Sequence, residues 1–579
     1  MILLIWLLIA LLQNFSCNAY TNDKVIENVY IDSLIERYLT EENDLWVAIY
    51  ANSSDRRLAN HQIQTESYMT LDMTFQEYNF TRVDQIFREI AQDSNSTCTS
   101  WSTEMEATTY KLYMFYEILS ANVLTSYMRS QRANMNLVVK KGFETHDSEN
   151  LRTRFNLLYN EITNVAVENL RTRDRITWMC DRNATGDDGH SQEITNFIRG
   201  YVDNQINFNK EESCWGSCSD YNFARHHVCH NGTFCYDNRK VGEVDPVCRG
   251  TIFDCSFIEE KMEICPSLNG RNRRYEYINY GCTYKDRLNF SRCNQEGRYF
   301  GPSGNCETKP TIVDSFRNAW FVKCHYCFCY CDEHDDVESD RYFSLQPIVS
   351  DVRDNMIITG VAIIKRNGIF SWTATQSRLL PNGRVDQYQS EPARSEIFTD
   401  FKRSDFSIIE GTDYHKLSWQ KRSVNLDTII LPPGHVVTGV RFTVEGGSLS
   451  LEVRSTTFNF NSGTLLDQNE WISKGYRERT GLHIDRPEPN RYCDIYGAYL
   501  SVPDFRPNKF VKFRPSDPDK DAGQTTVPFI DTQMVRPKNL SPLSGISLYY
   551  KGKPGLGGFI APAIVMYDMS SHIGNRLVP

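Results

Sequence analysis

No proline occurs before Pro246, although the chain of 579 residues contains 21. That half is therefore free of the residue that interrupts helices. Cysteine is equally uneven: of 18, all but Cys17, Cys98 and Cys493 fall between Cys180 and Cys331. Histidine is scarce, at 12. There is no Gly-x-Ser-x-Gly elbow, His-Glu-x-x-His helix, Walker loop or dinucleotide fingerprint, so no catalytic residue and no cofactor can be named. A net charge of −10 and an isoelectric point near 5.7 give no basic footprint for nucleic acid. Beyond the N-terminus no apolar run approaches the roughly 20 residues that cross a bilayer. Residues 568–579 are polar and lack a lipid-anchor tail, so no stable membrane anchor is expected.

The N-terminus reads MILLIWLLIALLQNFSCNAY, an apolar run followed by small residues at a cleavage position. Residues 1–19 have the form of a secretory signal peptide, which predicts a secreted, extracellular protein. Seven Asn-x-Ser/Thr sequons remain after it, at Asn52, Asn79, Asn95, Asn183, Asn231, Asn289 and Asn539. In a secreted chain these are candidate glycan sites, and five of them lie before residue 250.

Residues 20–179 read as a helical domain. Shorter candidates cover 23–39 and 82–93, and longer ones cover 105–134 and 148–179. In the last of these Leu151, Phe155, Leu158, Ile162 and Val165 recur every three or four residues. A glycine stop at Gly142 and a start signal at Asp147 or Ser148 separate the two long segments, which predicts an antiparallel hairpin. The hairpin would bring Cys98 and Cys180 to one end, where they are expected to form a disulfide.

Residues 180–339 form a cysteine-rich middle module. In an oxidising compartment its thiols pair by default. The expected paired set is Cys98, Cys180, Cys214, Cys218, Cys229, Cys235, Cys248, Cys255, Cys265, Cys282, Cys293, Cys306, Cys324, Cys327, Cys329 and Cys331. Removing Cys17 with the signal leaves 17 of the 18 cysteines, an odd number, so one thiol is free or joins two chains in a disulfide-linked oligomer. Cys493 is either that thiol or a clamp from the C-terminal domain to the module. The stretch KCHYCFCYCDEH, residues 323–334, concentrates four of the cysteines. As a strand it places Cys327, Cys329 and Cys331 on one face and Tyr326, Phe328 and Tyr330 on the other. Same-face neighbours about 6.6 Å apart are poorly placed for mutual disulfides, so partners upstream are expected.

A competing metal reading adds His226, His227, Cys229, His230 and the acidic run 332–340, but oxidised sulfur does not ligate as thiolate. The acidic run reads instead as a solvated linker. Asp517, Asp519 and Asp521 resemble a calcium loop, with the glycine displaced and Pro528 in place of the closing acid, against a proline-rich surface loop. Arg271-Asn272-Arg273-Arg274 is either a processing site or a basic hairpin tip.

Residues 340–579 contain an internal repeat. Thr359-Gly360-Val361 aligns with Thr438-Gly439-Val440, Gly368 with Gly447 and Ser371 with Ser450. Ser544-Gly545-Ile546 is a weaker third echo. Each unit reads as strand, glycine turn, strand. The predicted class is α+β and multidomain, with a C-terminal all-β domain built as a sandwich or prism of repeated sheets.

RYFSLQPIVSDVRDNMIITGV, YHKLSWQKRSVNLD, LPPGHVVTGVRF and CHYCFCYCDE resemble motifs of a secreted arthropod family, common in insects, known as a domain of unknown function. The resemblance is most specific between about residues 320 and 470 and implies an extracellular protein, with no activity to carry over. The functional expectation is a secreted binding protein whose β domain recognises an extracellular glycan or a protein surface. Trp372, Tyr414 and Trp419 are its candidate ligand contacts. The alternatives are a membrane-active, pore-forming-like protein and a hydrolase whose site is assembled from distant residues.

Overall fold

The computed structural model describes residues 85, 87–88, 104–105, 109–141, 146–181, 190–208, 214, 216–221, 248–258, 261–268, 272–280, 298–302, 306–319, 321–395, 408–489 and 501–573. The signal segment, the helix expected over 23–39, His226, His227, His230 and six sequons (Asn52, Asn79, Asn95, Asn183, Asn231 and Asn289) lie outside them. So do Cys98, Cys229, Cys235, Cys282, Cys293 and Cys493.

The long helical hairpin is present as Thr109–Lys141 and His146–Thr172. The first helix ends directly before Gly142, as the stop signal predicted. The outer boundaries differ from those expected. Residues 176–179, with their β-branched and aromatic side chains, leave the helix and form a strand that pairs Thr177 with Ile564 of the β domain. Glu104 and Met105 pair with that strand in turn. Tyr127 stacks on Phe155 with ring centroids 4.4 Å apart, and the Tyr116 and Tyr159 hydroxyls meet at 2.9 Å, locking the helices together. Their apolar faces also cover the β domain: Phe115, Tyr116 and Phe155 share a core with Val436, Phe458 and Tyr567.

The C-terminal region is a prism of three sheets, each built on one hairpin of the sequence repeat. The hairpins are Met356–Arg366 with Ile369–Leu380, His435–Glu445 with Ser448–Asn459, and Leu543–Gly552 with Phe559–Met566. A register shift falls at the same place in each, between Ile358 and Gly360, Val437 and Gly439, and Leu543 and Gly545. The third echo is therefore a full repeat.

The segment leading into each hairpin shows how the prism closes. Phe343, Val424 and Ile530 pair in parallel with Phe370, Leu449 and Ile560 of their own hairpins. Five residues further on, Ile348, Ile429 and Val535 pair antiparallel with Val440, Ile546 and Val361, each in the next hairpin of the cycle. Each repeat thus hands one strand to its neighbour. Glycine is required at the crossing. A Cβ on Gly360 would lie 3.0 Å from the Val535 carbonyl oxygen, and one on Gly439 would lie 3.0 Å from that of Ile348. The inward faces merge in one core that includes Val361, Trp372, Val440, Phe442, Ile546 and Leu548.

In the middle module the cysteine strand, Val322–Asp332, lies between Ile198–Asn204 on one side and Thr251–Phe257 on the other. Its alternation is as expected. Cys327, Cys329 and Cys331 face a cluster with Tyr201, Phe208 and Ile252, while Tyr326 and Phe328 face Met262, Tyr275 and Ile278. All four cysteines bond upstream: Cys324 to Cys214, Cys327 to Cys218, Cys329 to Cys255 and Cys331 to Cys248. Cys265 bonds Cys306. Cys180 is disulfide-bonded; its expected partner, Cys98, lies outside the described residues.

Two segments expected at the surface bury most of their charged groups instead, although Asp335 and Glu338 stay exposed. The acidic run is a charge-paired joint between module and prism, not a solvated linker. Asp332 binds Arg341 at 2.6 Å, Glu333 bridges Arg199 and Arg274, and Asp340 pairs with Lys365 at 2.5 Å. Arg273 and Arg274 are likewise not an exposed basic tip: both are buried, Arg273 on Asp521 at 2.6 Å and Arg274 on Glu333. The carboxylates supply the partners that make burial of these guanidinium groups tolerable.

Candidate binding cleft

Where the module meets the prism there is a cleft of about 360 Å³. Thr251 and Phe253 come from one edge strand of the module, and Asp332 and His334 from the end of the cysteine strand. Glu410, Lys416, Leu417, Ser418, Gln420 and Lys421 come from the loop between the first and second hairpins. The size falls within the range of small-molecule sites, and the lining is polar around one aromatic ring.

The joint holds this loop in place. Trp419 donates its backbone N–H to Asp332 Oδ2 at 2.9 Å, and Leu417 donates to the Arg341 carbonyl at 2.8 Å. Arg341 Nη1 in turn donates to the Leu417 carbonyl at 3.2 Å. Lys416 Nζ donates to the His334 carbonyl at 3.3 Å, which fixes an ammonium at the rim. Ser418 and Lys421 close the loop through a backbone hydrogen bond of 3.0 Å. Glu410, Gln420 and Lys421 are exposed.

Behind the cleft runs a stack of rings. Phe253 and Trp419 are parallel within 2°, with centroids 4.6 Å apart. On the other face of Trp419 the Arg422 guanidinium lies 3.7 Å from the ring centroid, a cation–π arrangement. Tyr330 flanks Trp419 with centroids 6.4 Å apart. Arg422 Nε and Nη1 are buried with no hydrogen-bond partner among the described residues. Burial first, and Arg514 as a like charge, bring its guanidinium down to about 10 against the pull of Asp254 and Asp332. One further arrangement involves the cleft: Thr251 Oγ1 lies 3.0 Å from His334 Nε2, and His334 Nδ1 lies 2.9 Å from Asp335 Oδ1.

The residues singled out from sequence are dispersed. Trp372 is 2 % exposed in the prism core, paired across its hairpin with Ile363, so it does not line the cleft. Tyr414 is half-buried against Tyr342, with centroids 5.7 Å apart, and leads into the cleft loop without lining it. Trp419 does not line the cleft either, but it stacks directly behind Phe253, which does. Asp517, Asp519 and Asp521 form a capped turn. Asp517 accepts the Asp519 amide, Arg486 bridges Asp517 and Asp519, and Asp521 binds Arg273 and Ser516 Oγ. Their oxygens are directed to arginines and capping groups rather than toward one point. Among the described residues no cluster of three or more His, Cys, Asp or Glu side chains has metal-binding geometry. No described helix is long and apolar enough to cross a membrane. Asn539 is exposed.

Sequence reasoning missed Phe253, Glu410, Lys416, Lys421 and Arg422. The available signal was the basic residues on both sides of Trp419 in HKLSWQKR, since an alternation of cation and aromatic suits a loop that stacks one on the other. No match is found among curated proteins. A family model described as a domain of unknown function (DUF4803) matches residues 95–373, from the helical hairpin through the disulfide module to the first hairpin of the prism.

Proposed function

We propose that the chain is a secreted extracellular glycoprotein that binds carbohydrate in the cleft between its disulfide module and its prism. The single observation that carries this reading is the cleft itself, about 360 Å³, polar and backed by the Phe253–Trp419 stack. Sugars present hydroxyls to hydrogen-bonding groups and C–H faces to aromatic rings, and a loop held by the joint offers both without reordering on binding. The disulfides, the N-terminal signal form, the exposed sequon at Asn539 and the motif resemblance to a secreted arthropod family support an extracellular setting. A glycan array probed with the full secreted chain tests the proposal. Saturable binding of at least one glycan is expected, weakened tenfold or more by Lys416→Ala. Absence of glycan binding would leave a protein surface as the ligand.

A second reading, ester-type hydrolysis, is favoured by the row Thr251, His334 and Asp335. In it a hydroxyl, an imidazole and a carboxylate stand in hydrogen-bond sequence at the cleft. Turnover of p-nitrophenyl acetate that disappears in both Thr251→Val and His334→Gln would support it; equal rates in wild type and variants would remove it.

A further inference from the structure

The far side of the cleft wall narrows the class of ligand. Trp419 stacks on the cleft-lining ring of Phe253 and carries the Arg422 guanidinium on its other face, just outside the cleft. A ligand longer than one sugar that leaves the cleft over the edge of Trp419 therefore meets this cation. Among the described residues Nε and Nη1 are buried without hydrogen-bond partners, and the residue remains part-exposed, so Nη2 is the edge left to solvent. A guanidinium partly removed from water, with no carboxylate hydrogen-bonded to it, attracts an anion more strongly than a solvated lysine does.

Asp332 lies nearby, but its two oxygens are engaged by Arg341 and the Trp419 amide. Asp254 is an exposed acid close enough to act on Arg422, and Glu410 is an exposed acid on the cleft rim. Asp335 is a third exposed acid, hydrogen-bonded to His334. Against these stand four cations: Arg422 and Arg514, with Lys416 and Lys421 on the cleft loop. Cations thus outnumber uncompensated acids here, although the chain as a whole carries −10.

We propose that the bound glycan is acidic, and that its carboxylate or sulfate docks on the solvent edge of Arg422, stacked against Trp419. The inference rests on the carbohydrate reading above and specifies its chemistry. Held flat by the indole, the guanidinium is oriented before the ligand arrives, so little side-chain freedom is lost on binding. Arg514 and Lys421 add attraction that salt screens, whereas the stacked contact persists at higher ionic strength.

Surface plasmon resonance with the full chain over immobilised dextran, dextran sulfate and polygalacturonate tests it. Retention on at least one acidic polymer is expected, with little on neutral dextran. Affinity should fall tenfold or more in Arg422→Gln and three- to tenfold in the exposed Lys421→Gln. Arg506→Gln, at an exposed arginine that bonds Asp504, should bind like wild type. Should Arg422→Gln fold poorly, Lys421→Gln and the salt dependence carry the test. Preference for sulfate over polygalacturonate, or the reverse, identifies the acid group. If the chain binds a neutral glycan on the array and Arg422→Gln and Lys421→Gln leave that binding unchanged, the acidic ligand is excluded while carbohydrate binding stands. If no glycan of either kind binds, both proposals fall.

Discussion

Gly545 runs so close to Ile429 that a Cβ on it would lie 2.1 Å from the Ile429 carbonyl oxygen. This is where the strand handed over by the second repeat meets the third hairpin, through the pair Ile429 and Ile546. Any side chain there must push two backbones apart, and the buried core has no slack to absorb the movement.

Gly545→Ala is therefore expected to cost about 3 kcal/mol, at the upper end for overpacking. Gly439→Ala, where the approach to Ile348 is 3.0 Å, should cost less. Gly447→Ala meets nothing within 4 Å and carries only the strain of its positive φ of 81°, about 1 kcal/mol. Thermal unfolding ranks the three. Equal melting temperatures would mean that the prism is not closed by these crossings.

Glu333 is the counter-ion of two buried arginines at once. Burial alone would raise its carboxyl, but Arg274 and Arg199 outweigh it and hold the group below the ordinary carboxylate range. Such a group stabilises the fold above the unfolded pKa, near 4.3, and that contribution is lost as pH falls through its lower folded value. Glu333→Gln removes the carboxylate that both guanidinium groups bond and should cost about 3–5 kcal/mol. Denaturant titration at neutral pH measures this, and an unchanged midpoint would refute it.

Much of this architecture was legible in the sequence, because it depends on short-range periodicity. The alternation of cysteine and aromatic in residues 326–331 fixed the two faces of the cysteine strand, and the recurring Thr-Gly-Val marked the crossings of the prism. The joint was not legible. Arg273 and Arg341 find Asp521 and Asp332 only across the boundary between module and prism, and Arg199 and Arg274 find Glu333 only from distant parts of the module; charges in a sequence read as solvent-exposed until such partners are known. The cleft was half-legible: Trp419 was picked out, but Trp372 was chosen for the same aromatic character. Only tertiary packing separates a core indole from a wall.

That distinction is measurable. Trp372→Ala empties a fully enclosed site between Ile363 and Phe442 and should cost about 3–5 kcal/mol. Trp419→Ala removes the ring between Phe253 and Arg422 and should weaken glycan binding at least tenfold. Trp372→Phe, which keeps most of the core volume, should bind with wild-type affinity. If Trp419→Ala binds as well as wild type, the ligand does not sit at this wall.

His415, buried at 3 % exposure in the strand that leads into the cleft loop, makes the stability depend on pH. Burial first, and the neighbouring Lys421 charge second, push its imidazole down to about 4. Its Nε2 has no hydrogen-bond partner among the described residues. An unfolded histidine titrates near 6.5, so between about pH 6.5 and 4 the unfolded chain binds more protons at this position than the folded one. The stability that neutral His415 contributes is complete above that window and is lost as pH falls through it. At about 1.4 kcal/mol per pH unit the loss reaches about 3 kcal/mol by pH 4. His572 is also lowered by burial and titrates in both proteins, so wild type must be compared with His415→Phe rather than read alone. From pH 7 through 5.5 to 4 the unfolding free energy of wild type should fall by more than that of the variant. Parallel pH profiles would show that His415 titrates normally and that its burial places no charge constraint on the cleft loop.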